Sequence, residues 1–199
     1  MTELDLVIKT VSGDGIKPFL SDIARLRITV FREFPYLYDG SAEYEQRYLE
    51  TYVQSANSLA VLVMAGLNVV GVSTGIPLAD ETEEFQRPFL DRGSDPSGIF
   101  YCGESLLLPE YRGKGIYKSF FREREEHARR LKQFNKICFC AVVRPDDHPL
   151  KPDSYRPLDS IWESFGYRKT TGFTMAYSWK DIDKKQEDEK RMVFWMKDL

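Results

Sequence analysis

Residues 104–117 read Glu-Ser-Leu-Leu-Leu-Pro-Glu-Tyr-Arg-Gly-Lys-Gly-Ile-Tyr. An apolar run able to form a strand meets a proline turn, then two glycines around a lysine, then a segment with helical spacing. A helix start carries N–H groups without intrahelical acceptors and the positive end of the macrodipole. Glycine lets the backbone approach a bulky anion because no Cβ intervenes. Arg112 and Lys114 add positive charge. Such a start suits phosphate or pyrophosphate. A positively charged helix cap around a plain glycine turn explains the same residues, and spacing alone does not separate the two readings. Other phosphate loops fit less well. The Walker pattern is absent, and Lys118 stands where the third glycine of the dinucleotide fingerprint belongs.

On the N-terminal side, alternation over Leu4 to Val11 predicts a strand, broken by the glycines of 12–15. Phe19, Leu20, Ile23, Leu26, Val30 and Phe31 have helical spacing within Lys17 to Phe31. Pro35 ends that helix in an aromatic loop, and Ser41 is the N-cap of a second helix running to about Gln54. Leu59–Met64 and Leu67–Ile76 read as a hairpin around Ala65-Gly66. The acidic, turn-rich stretch Pro77 to Gly98 is long for a loop, so it holds a short helix near Glu83 to Leu90 or forms a lid.

Ile99 to Leu108 reads as one strand, Lys114 to Gln133 as a helix and Lys136 to Val143 as a strand. A proline-rich loop, Arg144 to Pro157, leads to a short helix over Leu158 to Phe165. Gly172–Trp179 and Met192–Met196 are closing strands joined by a charged, flexible linker. This order predicts a mixed sheet with helices on both faces.

The 199 residues fit a single domain spanning 1–199. No apolar run has the length of a membrane span, and the N-terminus lacks the pattern of a secretory signal, so a cytoplasmic protein without membrane partners is expected. A net charge of −3 argues against a nucleic-acid partner, which needs a basic face. Cys102, Cys138 and Cys140 are odd in number and lack ligands at metal spacing, so they read as buried thiols, with no metal site.

At Arg112, Gly115 and Tyr117 the sequence resembles the Arg/Gln-x-x-Gly-x-Gly/Ala motif of the GNAT superfamily of acyltransferases. The approach from Leu107 to Gly115, the segment Ile161 to Tyr167 and the element order over nearly the whole chain resemble that family too. The resemblance implies an α+β fold: a central, mostly antiparallel seven-stranded sheet, helices on both faces, and a V-shaped split between the fourth and fifth strands. Acetyl-CoA would lie in the split as co-substrate. Its pantetheine would pair with the backbone at Leu107 and Leu108. Its pyrophosphate would sit on the amides of Arg112, Gly113, Lys114, Gly115, Ile116 and Tyr117. The implied activity is N-acetylation of a small-molecule amine by direct attack on the thioester. A non-catalytic acyl-CoA sensor and a protein or peptide N-acetyltransferase are the alternatives. Two residues depart from the pattern. Tyr117 replaces a small residue, and Trp162 stands where many members carry a tyrosine that protonates the leaving thiolate. An indole has no acidic proton at useful pH.

Glu104 is a charge within an apolar strand, which is costly unless paired or functional, and it is the candidate general base. An ion pair with an arginine explains it equally. The loop 144–157 follows a strand at the sheet's carboxyl edge, where function concentrates. Within it Tyr155 is the candidate acid and His148 a candidate substrate contact; a proline-stiffened loop tied by Asp–Arg pairs is the plainer reading. Glu33, Phe34, Tyr36 and Tyr38 fall where the resembling family covers its acceptor; their rings suit an apolar or cationic amine, and Glu33 with the acidic stretch Asp80 to Glu84 a cationic one, though a solvated acidic face explains those charges too. His127 reads as a packed histidine. The final strand, with Val193, Phe194 and Trp195, is a candidate to join a partner's sheet in a homodimer.

Overall fold

The computed structural model describes residues 5–199; Leu4, expected to open the first strand, lies outside them. Strand β1 (Leu6–Val11) pairs antiparallel with β2 (Leu59–Ala65), which pairs antiparallel with β3 (Asn68–Pro77). Between β1 and β2 lie α1 (Leu20–Phe31), preceded by a 3-10 turn over Gly13–Phe19, and α2 (Ala42–Gln54). The Ser41 hydroxyl caps α2 by accepting from the Tyr44 N–H at 3.3 Å. The nearly unbroken apolar run of β2 is buried on both faces, as a central strand requires. The stretch after β3 holds the short helix α3 (Glu83–Leu90).

The expected single strand over 99–108 is two strands, β4 (Ile99–Tyr101) and β5 (Ser105–Leu107). Both lie antiparallel to β3, but between Tyr101↔Ile76 and Ser105↔Ser73 this chain advances four residues while β3 advances three. The surplus residue makes a bulge at Cys102–Glu104. Gly103 is required there: a Cβ would fall 2.2 Å from the Tyr52 hydroxyl and 2.7 Å from that of Thr74. This break is why the sheet has eight strands rather than seven.

Helix α4 (Ile116–Leu131) leads to β6 (Lys136–Val142), then α5 (Asp159–Ser164), β7 (Arg168–Trp179) and β8 (Asp188–Asp198). The sheet order is β1-β2-β3-β4-β6-β8-β7, with β5 paired to β3. Only β4 and β6 run parallel among the described pairs. Their ladder ends at Tyr101↔Cys138 and one further bond, Cys102 N–H to the Cys138 carbonyl at 2.8 Å. Beyond it β5 stays with β3 and β6 stays with β8, so the sheet splits between β5 and β6.

Apolar side chains of α1, α2 and α3, such as Ile23, Leu26, Leu49 and Phe89, fill one face of the sheet. Ile116, Phe120 and Phe121 of α4, with Trp162 of α5 packed against them, fill the other. Strand β8 lies inside the sheet, paired with β6 on one side and β7 on the other. This corrects the expectation that Val193, Phe194 and Trp195 join a partner's sheet: both edges of their strand are taken within the chain. Among the described residues no helix is long and apolar enough to cross a membrane.

Candidate active site

Gly113 and Gly115 both have φ of 77°, and among the described residues nothing lies within 4 Å of the position a Cβ would take at either. The left-handed backbone explains why glycine stands there. Gly115 is the N-cap of α4, and among the described residues no side chain caps the helix, so its first N–H groups lack a side-chain acceptor. The first turn holds no acidic residue. Arg112 is engaged elsewhere. Its guanidinium clasps Glu33 with two bonds of 2.9 and 3.1 Å, and its Nε donates to the Leu107 carbonyl at 3.0 Å. The pair couples the end of β5 to the end of α1.

Thr74 N–H donates to the Glu104 carbonyl and Leu108 N–H to that of Val70, both at 3.1 Å. Backbone groups in an antiparallel ladder alternate sides, so those of Ser105 and Leu107 face the split. Within the split a cavity of about 100 Å³ is lined by Glu104, Ser105, Tyr117, Arg124, Phe139 and Trp162, among others. Beside it a larger cavity, about 190 Å³, is walled by Phe31, Tyr36, Tyr38, Tyr44, Tyr48, Phe85, Tyr101, Tyr177 and Trp179. Phe31, Tyr36, Gly103 and Cys140 line both. The two cavities therefore meet at the bulge.

The two departures from the family pattern meet as well. Trp162 Nε1 donates to the Tyr117 hydroxyl at 2.9 Å. An indole only donates, so the phenol oxygen accepts and its own proton remains available to the cavity. Burial raises the Tyr117 phenol, while the Trp162 bond and the Arg124 charge oppose that rise. Arg124 is buried, and its bonds run to the Ser73 and Ser105 hydroxyls at 2.9 Å each and to the Glu104 carbonyl at 3.3 Å. Burial pushes the Cys140 thiol up to about 12, so it is no thiolate at neutral pH and no ready nucleophile.

Under the bulge sits a buried charge network. Arg27 bridges the carboxylates of Glu45 and Glu104 and stacks on Tyr48, its guanidinium 4.5 Å from the ring centre. Burial alone would pull Arg27 down, but Glu104 and Glu45 hold it above its ordinary range. Burial raises Glu104, against the opposing charge of Arg27. Glu81 is also buried, and it accepts from Tyr48 Oη at 2.8 Å, Tyr52 Oη at 3.4 Å and Thr82 N–H at 2.8 Å. Burial pushes it up to about 7.

Of the residues singled out from sequence, Tyr36 and Tyr38 line the aromatic cavity, and Glu104 and Tyr117 the split. Tyr155 and His148 line neither; both pack on Phe34, with ring centres 4.7 and 5.7 Å away. Their loop is anchored by Arg144, which clasps Asp181 at 2.7 and 2.9 Å and donates to the carbonyls of Pro35 and Tyr36. Glu33 belongs to Arg112. His127 meets the Asn57 carbonyl at 2.9 Å against Phe100. The sequence reading passed over Arg27, Glu45 and the tyrosines of α2, and took Glu81 only as part of the acidic stretch Asp80 to Glu84. A signal was present in Tyr44, Tyr48 and Tyr52, whose four-residue spacing puts them on one helix face.

No family model and no curated protein sequence matches the chain. Solved structures do. An acetyltransferase of the GNAT family from Streptococcus pneumoniae aligns at 10% identity and TM-score 0.58, covering 98% of this chain and 100% of that one. The ribosomal-protein-alanine N-acetyltransferase from Brucella melitensis aligns at 13% identity and TM-score 0.61, covering 97% and 99%. A Salmonella typhimurium protein described as an acetyltransferase and solved with its cofactor acetyl-CoA aligns at 10% identity and TM-score 0.58, covering 98% and 94%. With the split sheet and the glycine turn at the start of α4, these alignments establish that the chain has the fold of the GNAT acetyltransferases.

Proposed function

We propose that the protein transfers the acetyl group of acetyl-CoA to the amine of a small molecule with an apolar or aromatic body. The observation that carries this reading is the meeting of the two cavities at Gly103. A thioester entering from the split and an amine held among the rings would face each other across the bulge. The residues fit the co-substrate: open glycines and helix N–H groups at 113–117 for the pyrophosphate, and backbone of Ser105 and Leu107 for the pantetheine. Rings attract an ammonium through their π faces. A space of about 190 Å³ suits a small acceptor better than a polypeptide segment.

Holding thioester and amine together supplies most of what the reaction needs. Attack forms the C–N bond and the C–S pair goes to sulfur. Tyr117, rather than Tyr155, is the candidate to give that sulfur a proton, because Tyr117 lines the split and Tyr155 does not, and its hydroxyl accepts from Trp162 and keeps its own proton. Trp162 supplies no acid for the thiolate, as a non-catalytic acyl-CoA sensor would need none, but the Tyr117 hydroxyl bonded to it is an acid candidate and favours an enzyme. A thiol-release assay over a panel of aromatic and aliphatic amines tests the function; acetyl-CoA binding without turnover of any amine would leave the sensor. Tyr117→Phe should lower thiol release about 100-fold while calorimetry records unchanged acetyl-CoA affinity. Unchanged turnover would remove Tyr117 from the chemistry.

A further inference from the structure

Glu81 is a buried carboxylate that no part of the reaction so far employs. It follows β3 on a short turn, and no cation contacts it among the described residues: Arg27 is engaged with Glu45 and Glu104. A buried carboxylate without a cation is costly. What Glu81 has instead is a path to the reaction centre. Tyr48 lines the aromatic cavity, and its hydroxyl donates to Glu81 Oε1 at 2.8 Å. The Tyr52 hydroxyl abuts Gly103 at the seam of the cavities and lies 3.3 Å from that of Tyr48. Two phenols therefore lead from the seam to one carboxylate.

Resting on the acetyltransfer reading, the geometry points to Glu81 as the proton acceptor for the acceptor amine, acting through the Tyr48 hydroxyl. As the amine nitrogen bonds to the thioester carbonyl carbon and the C–S bond breaks, the nitrogen's proton passes to Tyr48 oxygen. The phenolic proton moves at the same time to Glu81 Oε1. Sulfur keeps the C–S pair and takes a separate proton from Tyr117; solvent then returns Glu81 and Tyr117 to their starting states. Glu104 is the poorer acceptor because one of its oxygens is held by Arg27.

The groups facing Glu81 agree with a proton exchanged near neutrality. Arg27 lies toward it from α1, Tyr48 and Tyr52 from α2, Glu104 from the bulge, Tyr101 from β4, Cys140 from β6 and Tyr177 from β7. Burial dominates and sets Glu81 to about 7, where a general base works best at physiological pH.

The test takes an amine found active in the thiol-release panel and measures kcat/KM against pH for wild type, Glu81→Gln and Tyr48→Phe. Wild-type kcat/KM should fall below about pH 7 as Glu81 protonates. Both variants should lose roughly 100-fold at pH 8 and flatten that limb, with acetyl-CoA affinity intact. A Glu81→Gln enzyme that keeps its rate and its acid limb overturns the proposal and leaves the acetyltransferase reading standing. Failure of every amine overturns both. Thermal unfolding gives a readout that needs no acceptor. Because the folded-state value is raised, the stability Glu81 contributes is full below about pH 4.5 and lost as pH rises through about 7. Wild type should therefore fall relative to Glu81→Gln across that window, and a constant difference would count against a proton held there.

Discussion

Gly115→Glu abolishes acetyl-CoA binding: calorimetry on the folded variant should register an affinity at least about 100-fold below wild type, or no binding. Two costs combine. At φ 77° any side chain is strained, by about 1–3 kcal/mol where the surroundings hold the conformation. The new carboxylate also stands at the positive end of a 16-residue helix, where it competes with a diphosphate for the same N–H groups. Gly115→Ala separates the two, because no described residue lies within 4 Å of its Cβ and the added carboxylate is gone, leaving the backbone strain. It should lose about tenfold, near 1.4 kcal/mol. If Gly115→Glu binds like wild type, the pyrophosphate does not sit on this turn.

The glycine turn was legible because its logic is local. The β2–β3 hairpin and the Ser41 cap were legible for the same reason: a turn residue or a hydroxyl within a few positions decided each. The length of Pro77 to Gly98 left a short helix and a lid open, and the structure has the helix. The break inside 99–108 was not. Its apolar pattern runs on through Cys102, and the space that only a glycine fits at 103 is set by the Tyr52 hydroxyl, on a helix about fifty residues earlier in the chain. The closing strands were read too short for a related reason. Asp188 to Arg191 looks like a charged linker, yet Lys190 is buried, donating to the Trp179 carbonyl at 2.6 Å and pairing with Asp181 at 3.4 Å. Glu104 was flagged as a buried charge, but its partner lies 77 positions away on α1, so the strand alone could not distinguish a base from a structural pair. Tyr155 and His148 drew notice by type and loop position, whereas their packing on Phe34 depends on Arg144 closing two distant loops together.

Arg27→Met should unfold the protein more readily than any other single change at this site, with a loss of about 3–5 kcal/mol at pH 7. Arg27 is the cation between two carboxylates whose side chains have no solvent exposure. Removing it leaves Glu45 and Glu104 as like charges in an apolar setting. For a chain of this length that is a fall in Tm of about 10 °C, at about 2–4 °C per kcal/mol. The deficit should shrink as pH falls. Without Arg27 the burial that raises Glu104 goes unopposed, so its protonation restores part of the loss below neutrality. Adding Glu45→Gln and Glu104→Gln to Arg27→Met should recover most of the stability, because neutral amides carry no uncompensated charge. A loss under about 1 kcal/mol, as for exposed pairs, would mean the network is wet rather than buried. The placement of these charges follows from the site. Arg27 comes from α1, Glu45 from α2 and Glu104 from the bulge, so one guanidinium fastens together three of the elements that form the seam between the cavities. Apolar residues could fill that volume, but they would not fix the direction of Glu104 or hold the Tyr48 ring 4.5 Å from the cation. The triple variant should therefore regain its fold without regaining its rate of thiol release, and recovery of both would show that packing alone positions the seam.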